Sequence, residues 1–316
     1  AKCYAALGEL EKASNYYMDY LKSNQEDLEV RRENLQILEK LGYTDSVITE
    51  FQKLGQTVPS TLLFKQASQF YQEEKYQESL ETLDSLLLQN PKHLTALELQ
   101  SKIYFKQERW EPYIDLMSKV LPLQPSALNY KLRGLAYLKL KQFSSAISDF
   151  SASIGLETQD PQIYYYRALA LENLPDQERR AIQDYGQALR WNPQFSEALL
   201  RQATLLEKQE NWTAAIQNYS QLLQIQPDGK YYFARGNLYR RLRDSENTLA
   251  DYQQAIQLAP ENLRYYHQRA SFYFSLNRYG EAIQDWKYIL DQDPSQTSNL
   301  EKLIHKAEEK RREESK

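Results

Sequence analysis

Residues 232–260 read YFARGNLYRRLRDSENTLADYQQAIQLAP, and their spacing decides the fold. Tyr232, Gly236 and Tyr239 fall on one stripe of a helix, a polar turn follows near Asp244, and Leu249, Tyr252, Ala255 and Ile256 form the stripe of a second helix. Pro260 ends that helix, because proline cannot continue it and biases the preceding residue away from helical geometry. One unit is therefore helix, tight turn, helix, with a small residue on the first helix.

The unit recurs along the chain. Pro59, Pro91, Pro125, Pro193, Pro227, Pro260 and Pro294 mark a period of roughly 34 residues, with a double interval after Pro125 in which Pro161 opens a repeat. Successive first helices carry a small residue at Gly134, Ala168, Ala203, Gly236 and Ala270. Second helices carry one at Ala146, Ala181, Ala215, Thr248 and Ala282. Before Pro125 the first slot reads Leu35, Ala67 and Ser101, so Leu35 departs from the pattern. The stretch between Lys92 and Pro125 departs in its second helix: Pro112 is tolerated near a helix start, whereas Pro122 should end that helix early.

This pattern resembles the tetratricopeptide repeat (TPR) family over almost the whole chain. The resemblance implies an all-α fold, a right-handed superhelix of antiparallel helix pairs (an α-solenoid) closed by a C-terminal capping helix. The expected units are a partial repeat at 1–27, a divergent one at 28–59, repeats at 60–93, 94–126, 127–160, 161–195, 196–228, 229–262 and 263–295, and a capping helix with a polar tail at 296–316. In the opening segment, Leu7-Gly8 reads as the turn of a repeat lacking its beginning. In the closing one, Ser298 and Glu301 have capping-box spacing and Leu300, Leu303, Ile304 and Ala307 share a stripe.

Composition fits an elongated repeat array better than one large core: charged residues make up 26% of the chain, and there are 25 Tyr against 9 Gly. A formal net charge of −4 argues against nucleic acid as a partner. Cys3 is the one cysteine, so no intramolecular disulfide can form. His93, His267 and His305 lie in separate elements without metal-ligand spacing, and no catalytic or phosphate-cradling motif occurs, so neither cofactor nor metal is expected and this segment reads as non-enzymatic. No apolar run approaches a membrane span. The compartment stays open, with cytoplasm and bacterial periplasm both compatible.

A second regularity lies inside the repeats. Arg133 precedes Asp149, Arg235 precedes Asp251 and Arg269 precedes Asp285 by sixteen residues, and Arg167 precedes Asp184 by seventeen across an insertion in the turn. In the intervening repeat both partners are neutral, Gln202 and Asn218. Charge that appears and vanishes in pairs predicts structural ion pairs between the two helices.

In this family first helices line a concave surface, so the resemblance places binding residues on their inner stripe. Here Lys230, Phe233, Asn237, Arg240, Arg241, Arg264, His267 and Phe274 concentrate positive charge and aromatic surface against the acidic overall balance. An acidic peptide is the ligand expected there. The two-carboxylate clamp of some family members is not reproduced: Lys230 and Asn237 suit it, but Gln268 stands where a second asparagine is required. The expected function is a protein-interaction scaffold. The alternatives are self-association into a homo-oligomer through stacked repeat ends, or a substrate-selecting arm of an enzyme whose catalytic domain lies outside this chain.

Overall fold

The computed structural model describes residues 1–157 and 159–314, with the side chains of Gln296 and Ser298 outside the description. The capping-box expectation at Ser298 and the last two residues of the polar tail therefore lie outside the described residues. Two compact units result, Ala1–Asp149 and Phe150–Lys316. Among the described residues there are nineteen α-helices, one short 3-10 turn and no strand.

In the first unit α1 (Lys2–Ala6) and α2 (Leu10–Ser23) are followed by the pairs α3 (Leu28–Leu41) and α4 (Thr44–Lys53), α5 (Ser60–Gln72) and α6 (Tyr76–Gln89), and α7 (Leu94–Lys106) and α8 (Trp110–Val120). Then come α9 (Ala127–Lys139) and α10 (Phe143–Leu156), whose last turns belong to the second unit. The second unit continues with α11 (Pro161–Glu172) and α12 (Glu178–Trp191), α13 (Ser196–Lys208) and α14 (Trp212–Ile225), α15 (Gly229–Arg241) and α16 (Ser245–Leu258), and α17 (Leu263–Ser275) and α18 (Tyr279–Gln292). It ends with α19 (Thr297–Glu314).

Two small residues bring the helices of a pair together. The eighth residue of a first helix and the fourth of a second helix are buried at Ala168 and Ala181, Ala203 and Ala215, Gly236 and Thr248, and Ala270 and Ala282. A Cβ on Gly236 would lie 3.0 Å from the Tyr252 ring, so the two helices approach as closely as side-chain volume allows. The tight turns between them share one left-handed backbone position. Gly42 occupies it with φ 76°, while Glu74, Glu108 and Lys141, then Asp176, Glu210, Arg243 and Asn277, hold it with φ between 54° and 60°. The following helix starts are capped by side chains where the residue permits: Asp244 accepts from the Asn247 amide at 3.1 Å.

The arginine–aspartate pairs are bidentate. Arg133 holds Asp149 through Nε and Nη2 at 2.7 and 2.8 Å. Arg167 holds Asp184 at 2.7 and 2.8 Å, Arg235 holds Asp251 at 2.8 and 2.7 Å, and Arg269 holds Asp285 at 2.8 and 2.7 Å. The third nitrogen, Nη1, reaches back to the preceding second helix: to Ser118 at 2.9 Å from Arg133, Ser151 at 3.1 Å from Arg167, Ser220 at 2.9 Å from Arg235, and Gln253 from Arg269. Each guanidinium also lies over a tyrosine ring of its own helix, as Arg133 over Tyr137 and Arg235 over Tyr239. One side chain thus ties three helices, a connection between repeats that pair spacing alone does not disclose. In the neutral repeat Asn218 donates to Gln202 at 2.9 Å, and Gln202 donates to the Ile182 carbonyl at 2.9 Å.

The divergent pair α3/α4 carries its own version, with Arg31 donating to both carboxylate oxygens of the buried Glu50 at 3.2 and 2.9 Å. Leu35 fills the small slot of α3 and is itself buried. At the far end, Leu300, Ile304 and Ala307 of α19 bury against Trp286 and Ile289 of α18, closing that hydrophobic cluster. The remaining turns of α19 are exposed.

Candidate functional site

Within the second unit α13, α15 and α17 are the first helices of successive pairs, and their inner faces form a cleft of about 800 Å³. Asn237, Arg240 and Arg241 of α15 line it together with Arg264 and Gln268 of α17. Arg243 from the left-handed turn, Glu207 and Lys208 of α13, and Trp212 at the start of α14 complete the wall.

The electrostatics of this wall differ from the same face one or more steps away. Along it, basic side chains meet acids: Arg201 and Glu172 are 3.5 Å apart and Lys208 and Glu178 2.8 Å; in the first unit Lys106 and Glu74, at the corresponding helix positions, are 3.3 Å apart. Arg241 stands at the same helical position as Lys106 and Lys208, but where Glu178 opens α12 to meet Lys208, Trp212 opens α14. The Arg241 guanidinium consequently lies over an indole, 6.0 Å from its centre. Arg240 sits over Phe272 at 5.7 Å and donates to the Gln268 amide oxygen at 3.3 Å. Arg264 sits over Phe233 at 5.5 Å. Among the described residues none of Arg240, Arg241, Arg243 and Arg264 makes an ion pair with a carboxylate. Three of them lie over aromatic rings, contacts that use the charge without consuming an N–H donor.

Five of the eight residues expected in the groove are brought together: Phe233, Asn237, Arg240, Arg241 and Arg264. Phe233 requires a correction, because it is only 8% exposed, packed between the Tyr252 and Tyr265 rings at 5.5 and 4.7 Å. It forms the floor under Arg264 and offers no free ring. Lys230, His267 and Phe274 do not line the cleft. Lys230 is paired with Asp228 at 3.1 Å, and Phe274 packs on Tyr279 and Trp286. Trp212, Arg243 and Gln268, with Glu207, Lys208 and Leu238, line the cleft without having been expected there. The signal for Trp212 was its place as first residue of a second helix, opposite the arginine of the next repeat.

Below the cleft, tyrosines of second helices donate to the inner face. Tyr219 donates to Glu207 at 2.6 Å, Tyr185 to Glu172 at 2.8 Å and Tyr252 to Asn237 at 2.6 Å. Burial pushes the Glu207 carboxyl above its ordinary 4.5, with the Tyr219 hydrogen bond opposing the shift, and Glu172 is raised by the same cause. A carboxyl raised in the folded state contributes stability that is fully present below pH 4.5 and lost as pH rises through the folded value. Glu207→Gln keeps an acceptor for Tyr219 and removes that loss. We expect it to raise the melting temperature by roughly 2 °C at pH 7 and to leave it unchanged at pH 4, read by circular dichroism melts across that range.

Among the described residues no cluster of histidine, cysteine and acidic groups could hold a metal ion, and no helix is long and apolar enough to cross a membrane. Recurring helix pairs, most of them closed by two small residues and tied to their neighbours by arginine clamps, define a helical-repeat protein. The Tetratricopeptide repeat family pattern matches residues 64–127 and 177–230, and again 229–262 and 263–294. The chain belongs to the tetratricopeptide repeat family. Human DnaJ homolog subfamily C member 7 is 25% identical over 203 residues, covering 58% of this chain and 41% of that protein. Rat serine/threonine-protein phosphatase 5 is 30% identical over 128 residues, covering 40% of this chain and 26% of that protein. The chain thus spans less than half the length of either relative. The C-terminal part of a TPR repeat-containing protein from Cytophaga hutchinsonii superposes with a TM-score of 0.59 at 16% identity, over 73% of this chain and 95% of that structure, a likeness of fold.

Proposed function

We propose that the chain is a non-catalytic protein-interaction scaffold that receives an extended acidic segment of a partner protein in the cleft between α13, α15 and α17. The observation that carries this reading is the set of four arginines on one wall, none in an ion pair with a carboxylate among the described residues. The helices that present them are fixed by the clamps beneath, so ordering falls mainly on the peptide and the cost of association is reduced. Carboxylates of the segment take charge-assisted hydrogen bonds from the guanidinium edges, and its flanking apolar side chain finds Trp212.

The test is fluorescence anisotropy with a labelled acidic probe, Asp-Glu-Ser-Glu-Asp-Leu, against the wild-type chain and Arg240→Glu/Arg241→Glu. Binding is expected to weaken about a hundred-fold in the variant, the effect of two lost charge-assisted contacts, and to weaken with added salt. Equal binding by both chains, at matched helical content, moves the site away from the cleft. A second reading, a substrate-selecting arm of a larger enzyme, draws on the match to a phosphatase of which this chain covers only 26%. It uses the same cleft and is tested by the same variant.

A further inference from the structure

We infer that the cleft selects a phosphorylated side chain, so that the partner segment is a phosphopeptide; this inference rests on the acidic-segment reading above. An arginine restrained by a carboxylate has spent its fork, as Arg133, Arg167, Arg235 and Arg269 have. Those of the cleft are restrained by Trp212, Phe272 and Phe233 instead. An aromatic contact spends no N–H donor; Arg240 donates to Gln268, and the forks of these three arginines meet no carboxylate among the described residues.

Among the wall residues Lys208 is paired with Glu178 at 2.8 Å, and the one carboxylate, Glu207, accepts from Tyr219 at 2.6 Å and pairs with none of the four arginines. Four arginines against one carboxylate, Glu207, therefore face a space of about 800 Å³. A carboxylate brings one charge and two oxygens to a point. A phosphate monoester brings up to two charges and three strong acceptor oxygens, enough to engage two guanidinium forks at once. The Gln268 amide, already accepting from Arg240, keeps its own N–H groups for a further oxygen. Recognition by arginine rather than lysine on this wall is the expected choice where planar, two-pronged contact with phosphate matters.

The experiment compares three forms of the probe above, with serine, glutamate or phosphoserine at the third position, by the same anisotropy assay at pH 7.5. The phosphoserine form is expected to bind about ten-fold tighter than the glutamate form, and the preference to fade at pH 5 as the phosphate loses its second charge. Arg240→Lys, which keeps the charge and removes the fork, should erase most of the preference while retaining the glutamate form. Equal binding of the phosphoserine and glutamate forms overturns the phosphate inference and leaves the acidic-segment reading standing. Failure of all three forms overturns both. Tighter binding to vesicles containing phosphatidylinositol bisphosphate than to the phosphopeptide overturns the inference in favour of a membrane phosphate. Circular dichroism melts of Arg240→Lys within 1–2 °C of wild type, a window that corresponds to roughly 0.5 kcal/mol, separate loss of recognition from loss of fold.

Discussion

Arg235→Ala is expected to lower the urea midpoint further than the double change Arg235→Ala/Asp251→Ala. The single change removes both bonds to Asp251 and the bond to Ser220, and leaves a carboxylate only 4% exposed with no cation. An orphaned buried charge costs about 3 kcal/mol or more, whereas the intact pair is worth far less than that over two neutral residues, because its attraction is largely offset by desolvation. Removing Asp251 as well eliminates the orphan and recovers part of the loss. The molecule contains its own control: the equivalent pair in the preceding repeat is Gln202 and Asn218, joined at 2.9 Å without any charge. Arg235→Gln/Asp251→Asn should therefore come within about 1 kcal/mol of wild type. A double alanine variant as unstable as Arg235→Ala, or less stable, would mean that the helices do not depend on the pairing. Because Nη1 also bonds the preceding second helix, the loss should spread across the junction of two repeats, visible as faster amide exchange in both α14 and α16.

The ladder also shows what sequence could and could not reveal. Sixteen-residue spacing and the joint loss of charge at Gln202 and Asn218 identified which arginine meets which aspartate, because a pair conserved or neutralised together leaves a trace in one repeat after another. Ser118, Ser151, Ser220 and Gln253 left none: a serine on a helix has many uses, and its role appears only when the preceding helix is seen to lie within reach. The candidate site was legible to the same degree. Arg240, Arg241 and Arg264 stood out by charge, and Asn237 by its place on the inner stripe. That Phe233 is covered by Tyr265 from the next pair could not be read from the sequence, because the contact depends on how one repeat seats against another. Arg31 and Glu50 were invisible because their spacing of nineteen matches no other repeat.

Tyr113→Ala is expected to destabilise the chain by about 3–5 kcal/mol, although it installs the residue that the repeat pattern prefers. Tyr113 is the fourth residue of α8, the place taken by Ala181, Ala215 and Ala282 in other second helices. It is nevertheless 2% exposed, edge-on to Phe105 with ring centres 5.4 Å apart, inside a cluster with Leu97, Met117 and Val120. A ring of that size cannot occupy an alanine slot unless α8 stands away from α7, and α8 has the means to do so. It is eleven residues long, carries Pro112 in its first turn and stops at Val120, ahead of Pro122. Removing the ring leaves a void that the short helix, fixed at both ends by its prolines, cannot close. The cost then follows cavity volume as well as lost burial. Tyr113→Phe separates the two contributions of ring and hydroxyl. Burial pushes the Tyr113 hydroxyl well above the usual phenol range, and its loss should cost less than about 1 kcal/mol. Urea denaturation of the three chains decides the matter: a Tyr113→Ala variant as stable as wild type would show that α8 can settle onto α7 as its counterparts do, and that the departure of this pair from the repeat is owed to its prolines alone.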